Sequence, residues 1–132
     1  AQHLGRSADP SVIPHLVEAL SDPHPLVRSD CIQALGRLGD FSAVPALISS
    51  LEDSDPLVRA ATIAALGKIK DRSAVDALIR CLHDREITIR IGAAEVLGSL
   101  KDRRATEPLR ALLDDPFSQV REAAEIAIRH IR

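Results

Sequence analysis

Residues 55–67 read DPLVRAATIAALG, and closely related segments lie 31 residues before and 31 residues after them. Residues 24–36 read HPLVRSDCIQALG, and residues 86–98 read EITIRIGAAEVLG. The Arg and the Leu-Gly pair recur in all three segments, whereas the residues between them change. Comparing 21–51 with 52–82 gives 17 identical positions out of 31, which indicates an internal repeat.

The repeat predicts one array over residues 1–132, with more divergent copies toward the C-terminal end. We expect units at 1–20 (partial), 21–51, 52–82, 83–113 and 114–132 (partial). The chain contains no Met, and it begins and ends within the repeat unit. We therefore expect it to be a segment of a longer array, which stacks end to end on further repeats or on a partner.

Apolar residues in each copy follow the period of an amphipathic helix. They stand at offsets of 0, 4, 7, 8 and 11 from the Val or Ile at positions 27, 58, 89 and 120. We call this the first helix and predict it over residues 25–38, 56–69, 87–100 and 118–131. A shorter apolar stripe follows and predicts a second helix. Its start is marked by an Asp, a residue type that caps free N–H groups, at Asp9, Asp40, Asp71 and Asp102.

Neither helix is long enough to be stable alone in water, so each must bury its stripe against its neighbours. Only 2% of the residues are aromatic, which favours thin layers of closely approaching helices over a thick core. Gly36, Gly67 and Gly98 are interpreted as points where a neighbouring backbone leaves no room for a Cβ. The expected fold is all-α, an α-solenoid of stacked helical hairpins with a 31-residue repeat.

The unit D-x-x-x-x-V-R-x-x-A-x-x-A-L-G, followed by D-x-x-A-V-x-x-L-I-x-x-L, resembles the HEAT repeat and, more narrowly, the PBS-lyase HEAT-like subgroup. The third copy departs from it at Ile87-Thr88 and the last at Ile128-Arg129. The resemblance implies a right-handed superhelix whose second helices line a concave face, and a scaffold that binds other proteins. The subgroup is named after subunits that attach or detach bilin chromophores, so a bilin lyase or isomerase subunit is the alternative.

Charged residues recur at fixed positions of the repeat. They are interpreted as structural, because an active site would not be expected to recur in every repeat. Each Asp lies in the turn before a first helix, and each Arg lies in that helix's first turn, where a guanidinium can bridge carboxylates or turn carbonyls. The expected Asp/Arg ladder consists of Asp22, Arg28, Asp53, Arg59, Asp84, Arg90, Asp115 and Arg121.

The outward positions of the second helices vary between copies, and they are free to carry specificity for a protein or peptide partner. Plain solvated surface, or contact with further repeats, is the competing interpretation. The expected partner-binding residues are His15, Glu18, Ala46, Ser49, Ser50, Asp76, Arg80, Cys81, Glu107 and Leu112. Of these, Cys81 is expected to be partly exposed.

Other functions find little support in the residues. A formal charge of −2 and the lack of aromatic residues disfavour nucleic-acid binding, including base excision by an alkylpurine DNA glycosylase. There is no apolar run long enough to span a membrane, no metal-ligand spacing, no phosphate loop and no catalytic residue that the pattern singles out. We expect no cofactor and no enzymatic activity, and two reduced cysteines, Cys31 and Cys81, in a cytoplasmic protein.

Overall fold

The computed structural model describes residues 12–131, and these form helices and turns without any strand. The predicted all-α class is therefore confirmed. The α-helices are α1 (Val12–Glu18), α2 (Pro25–Leu38), α3 (Val44–Ser50), α4 (Pro56–Ile69), α5 (Val75–Cys81), α6 (Ile87–Leu100), α7 (Thr106–Ala111) and α8 (Ser118–Ile131). Short 3₁₀ turns lie between them at Ala19–Ser21, Phe41–Ala43, Arg72–Ala74, Arg103–Ala105 and Leu112–Asp114.

The predicted bounds of the first helices agree with those of α2, α4, α6 and α8. Proline explains two of the starts, because Pro25 and Pro56 stand at the first helical position, where no N–H is needed. Asp55 adds a cap to α4, since its carboxylate accepts a hydrogen bond of 2.9 Å from the N–H of Leu57. The chain leaves α2 through Gly39, whose φ of 69° is the left-handed conformation that ends many helices.

The second helices begin later than the sequence predicts. Each marker Asp caps a 3₁₀ turn instead of the helix itself, and α3, α5 and α7 start only after that turn. The carboxylates accept hydrogen bonds of 2.8 to 2.9 Å from the backbone N–H two residues on, in the pairs Asp40–Ser42, Asp71–Ser73 and Asp102–Arg104. The cap predicted at Asp9 lies outside the described residues.

The chain divides into two compact units, and the first is Ala1–Ile69. Within it α2 lies along α4, α1 packs on α2, and α3 packs on α4. Leu35 and Leu47 are fully buried, so both the first and the second helices contribute to the core. Val27, by contrast, is 39% exposed, although its position in the stripe predicts burial.

The second unit is Lys70–Arg132. Within it α6 lies along α8, α5 packs on α6, and α7 packs on α8. Its core is aliphatic and includes Ile89, Leu97 and Leu109, each at most 1% exposed.

Two of the three glycines interpreted as packing positions stand at a close helix crossing. A Cβ on Gly36 would lie 2.9 Å from the Cβ of Ala65, and a Cβ on Gly98 would lie 2.9 Å from the Cα of Ala127. Both distances are shorter than carbon atoms tolerate, so α2 meets α4, and α6 meets α8, at a point that only glycine allows.

Candidate protein-binding surface

The Asp/Arg ladder takes a defined form in the Ala1–Ile69 unit. Arg28 donates from Nε and Nη2 to the two carboxylate oxygens of Asp53, at 2.9 and 3.1 Å. Its third nitrogen, Nη1, donates to the backbone carbonyl of Asp22 at 2.7 Å. One guanidinium thus ties together the two turns that precede α2 and α4, in the two-pronged geometry that suits arginine.

The Lys70–Arg132 unit repeats this arrangement with different residues. Arg90 donates to the carboxylate of Asp115 at 2.9 and 3.3 Å and to the carbonyl of Asp84 at 2.7 Å. Arg59 and Arg121 keep the carbonyl contact, to Asp53 at 2.8 Å and to Asp115 at 2.6 Å. These contacts of the ladder therefore hold turns in place.

Two ladder carboxylates, Asp53 and Asp115, stay ionised because their partners outweigh the effect of burial. Burial raises the pKa of Asp53, but hydrogen bonds from Arg28 and from the N–H of Asp55 bring that pKa below its ordinary value. Burial likewise raises the pKa of Asp115, and the N–H of Phe117 together with Arg90 lowers it again, to below 3.8.

Replacing Asp115 by asparagine is expected to reduce the acid sensitivity of this protein. The folded pKa of Asp115 lies below 3.8, so its charged form stabilises the fold above about pH 4 and loses that effect as the pH falls through the folded pKa. Urea unfolding at about pH 7, pH 4 and pH 3 measures the free energy of unfolding of the wild type and of Asp115→Asn. The difference between the two free energies should become smaller toward the lowest pH. Asp114→Asn, an exposed neighbour, is the control, and a difference of constant size for Asp115→Asn would contradict the assignment.

The residues expected to bind a partner lie partly at the surface in the first unit. His15 and Glu18 on α1 and Ser49 on α3 are exposed, whereas Ala46 and Ser50 are half-buried. The side of α3 that faces solvent is therefore small and uncharged.

In the second unit three of the expected residues are charged. Asp76, Arg80 and Glu107 are exposed on α5 and α7. Arg104 contacts Asp76 at 3.5 Å, and Arg110 forms an ion pair of 2.8 Å with Glu107. Arg104 and Arg110 were not among the expected residues. The spacing of three residues between Glu107 and Arg110 could have identified the second pair, but only the tertiary structure brings Arg104 to Asp76.

Two of the expected binding residues are wrong, because Cys81 and Leu112 are each only 7% exposed. Cys81 follows the exposed Arg80 by one residue, which turns its side chain by about 100° around the helix. That turn takes Cys81 off the exposed side and into the core, since α5 packs on α6. Leu112 follows α7, which packs on α8, and is buried in the same way. Neither residue is available to a partner. We call the remaining eight residues the second-helix face: His15, Glu18, Ala46, Ser49, Ser50, Asp76, Arg80 and Glu107.

Within residues 12–131, His, Cys, Asp and Glu side chains nowhere gather in a group of three that could hold a metal ion. Cys31 and Cys81 are free thiols, as expected, and burial raises the pKa of Cys31, which makes its thiolate scarcer. No helix in the described part of the chain combines the length and apolarity needed to cross a membrane.

Comparison with known proteins gives one family. The model of HEAT repeats matches residues 1–60 and 44–129. No curated protein sequence matches the chain.

Solved structures share the fold. A chain in the complex of CpcE and CpcF of phycocyanin lyase from Nostoc sp. PCC7120 is 30% identical, with a TM-score of 0.81, over 97% of this chain and 56% of its own length. Human deoxyhypusine hydroxylase in complex with glycerol is 29% identical, with a TM-score of 0.82, over 96% of this chain and 45% of its own. An engineered protein, 21% identical with a TM-score of 0.75 over 92% of this chain, shows the fold alone.

The chain spans about half the length of the first two solved structures. Together with the family match, this likeness confirms the predicted fold class, an all-α solenoid of helical repeats. The PBS-lyase-like resemblance read from the sequence agrees with the similarity to a phycocyanin lyase chain.

Proposed function

We propose that this chain, which belongs to the HEAT-repeat family, is a non-enzymatic scaffold that binds a protein or peptide partner through the second-helix face. The observation that carries the proposal is a contrast between equivalent positions of the second helices. The inward positions keep one residue type, since Leu47, Leu78 and Leu109 are all fully buried. The outward positions change chemistry from Ser49 to Arg80, and both side chains are exposed.

A surface that varies over a constant core is what a binding module needs, because the contacts can change while the packing stays the same. The family supports the same role, since stacked helical repeats provide extended surfaces for other proteins. The phycocyanin lyase structure, a complex of two proteins, is a related example.

The chemistry of the face limits the kind of partner. Apart from His15 its residues are small or charged, and none is Phe, Tyr or Trp. A large apolar side chain, Phe41, lies 63% exposed in the 3₁₀ turn before α3. Aromatic anchors dominate the energetics of many interfaces. We expect the partner to supply those rings and to place opposite charges near Asp76, Arg80 and Glu107.

Single changes on the second-helix face are expected to weaken the complex without unfolding the protein. Ser49→Arg adds bulk and charge to a small polar surface, and Arg80→Glu reverses a charge; each should lower affinity about tenfold. The measurement starts with capture of the partner from an extract of the source organism and continues with titration calorimetry on the purified complex.

The matched controls carry the same substitutions elsewhere. Ser99→Arg on α6 and Arg129→Glu on α8 change exposed positions away from the second-helix face. They should bind as the wild type does, and all four variants should keep the wild-type helicity. If the face variants and the controls lost affinity equally, or if neither lost affinity, this face would be rejected as the binding site.

The second candidate is a subunit that handles a bilin chromophore. The specific observation in its favour is the 30% identity to a phycocyanin lyase chain over 97% of this chain. The test is to mix the protein with a free bilin, alone and with phycobiliprotein subunits, and to record the absorption spectrum. A spectral shift or a bound chromophore would favour this function, and an unchanged spectrum in both mixtures would remove it.

A further inference from the structure

Two adjacent turns in the Lys70–Arg132 unit carry five of its cations. One turn begins Lys70-Asp71-Arg72 and the other reads Lys101-Asp102-Arg103-Arg104. They lie side by side, because Arg72 Nε donates to the carbonyl of Leu100 at 3.1 Å and Arg104 Nη2 donates to the carbonyl of Arg72 at 3.3 Å. We call the five cations of these turns the basic ridge: Lys70, Arg72, Lys101, Arg103 and Arg104.

The two carboxylates in these turns offset two of the five cations, which leaves a net charge of +3 (5 − 2), and both carboxylates also hold the local structure. Asp71 caps the turn Arg72–Ala74 through the N–H of Ser73. Asp102 accepts hydrogen bonds from the side chain of Arg104, at 2.8 and 3.0 Å, and from its backbone N–H. These contacts lower the pKa of Asp102 to about 2, and its side chain is only 15% exposed.

The cations themselves face solvent. All five ridge residues are exposed. Arg104 is held by Asp102 and lies 3.5 Å from Asp76, whereas the side chains of Lys70, Lys101 and Arg103 form no ion pair with any residue between 12 and 131. The two turns contain five cations and two carboxylates. A third carboxylate, that of Asp76, lies next to the ridge beside Arg104.

The backbone adds a second observation. Lys70 and Lys101 have φ values of 60° and 55°, the left-handed conformation that Gly39 adopts at the equivalent point of the first unit. A non-glycine residue is strained in this conformation relative to glycine. Lys101 offsets part of this strain as the C-cap of α6, where a cation meets the negative end of the helix dipole. The dipole does not explain Arg103, which lies two residues beyond the cap.

We propose that the basic ridge binds a run of acidic side chains in a partner protein. Two turns joined by the side chains of Arg72 and Arg104 present guanidinium and ammonium groups side by side, and carboxylates are their natural acceptors. A nucleic acid fits less well, because the chain carries a formal charge of −2 and the ridge offers no ring on which a base could stack. The ridge shares no residue with the second-helix face, so this site does not depend on the proposed function.

The test measures binding of a fluorescent octaglutamate peptide by anisotropy at low salt. Lys101→Glu combined with Arg103→Glu is expected to weaken binding at least about tenfold, and added salt is expected to weaken wild-type binding. The control variant combines Arg85→Glu with Arg129→Glu, which makes the same charge change at exposed positions of the same unit. It should weaken binding less than about twofold.

Three outcomes would overturn the proposal. The first is an equal loss in the ridge and control variants, which would mean that net charge alone attracts the peptide. The second is no salt-sensitive binding by the wild type, and the third is a short DNA duplex binding more tightly than the peptide. All substituted side chains are exposed and the helicity of both variants is checked, so unfolding cannot imitate these results. Failure here would leave the calorimetric test of the second-helix face untouched.

Discussion

Replacing Gly98 by valine is expected to lower the free energy of unfolding by about 3 kcal/mol. Even the Cβ of the new side chain would lie 2.9 Å from the Cα of Ala127 and 3.0 Å from its Cβ, so α6 and α8 would have to move apart. Backbone cannot yield as a flexible side chain can, and the helices would lose dispersion contacts along their crossing. Urea unfolding followed by circular dichroism measures the effect.

The neighbouring residue provides the control for this prediction. Ser99 is exposed on the same helix, so Ser99→Val tests the effect of a β-branched residue in α6 without the steric clash. It should change stability by no more than about 0.5 kcal/mol. A Gly98→Val variant as stable as Ser99→Val would show that α6 and α8 do not cross at this point.

Arg90→Ala is expected to cost about 2 to 3 kcal/mol, the second large effect. Arg90 and Asp115 are 12% and 7% exposed as side chains, and their pair is two-pronged. The substitution leaves the Asp115 carboxylate in a largely buried place without its cation, and it also frees the carbonyl of Asp84 from its contact with Arg90. Urea unfolding at neutral pH measures the loss.

Arg121→Ala is the matched variant, since Arg121 occupies the same place on α8. Within the described part of the chain its side chain donates to a backbone carbonyl, that of Asp115, and it is exposed. We expect a cost of about 1 kcal/mol, the usual value for one hydrogen bond. In a double-mutant cycle Arg90→Ala and Asp115→Asn should be strongly non-additive; additive effects, or equal costs for Arg90→Ala and Arg121→Ala, would contradict the pairing.

The first helices could be predicted from the sequence because several local signals coincide there. Pro25 and Pro56 fix two helix starts, the apolar stripe has the helical period, and the helix ends two residues after the glycine of each Leu-Gly pair. The glycine contacts could be anticipated in kind, but not their partners, Ala65 and Ala127. Those partners depend on which positions of two helices meet at the crossing.

The second helices were less predictable because they are short. Helix α5 has seven residues, and a stripe of two turns leaves the rotation of the helix poorly defined. The sequence therefore predicts Cys81 on the exposed side, whereas the structure buries it. An Asp marker does not reveal the 3₁₀ turn that separates it from the helix, since Asp caps α-helices and here also caps 3₁₀ turns.

The basic ridge could not be predicted from the sequence for another reason. Comparing copies of a repeat draws attention to what recurs, and the turn before α3 reads Gly39-Asp40-Phe41, without any cation. Lysines and arginines 31 residues apart become one surface only when two turns lie side by side, and the contact of Arg104 with the Arg72 carbonyl establishes that.

The most direct test of this account is the nuclear Overhauser effect between the Gly98 α protons and the methyl group of Ala127. It tests whether each of these pairs of first helices packs through its glycine position. That contact fixes which side of each helix is buried in the core. We expect a strong cross-peak between Gly98 and the methyl group of Ala127 and another between Gly36 and the methyl group of Ala65, because both pairs are in contact. Assigned spectra without these two cross-peaks, or with Gly98 in contact with a different helix, would contradict it.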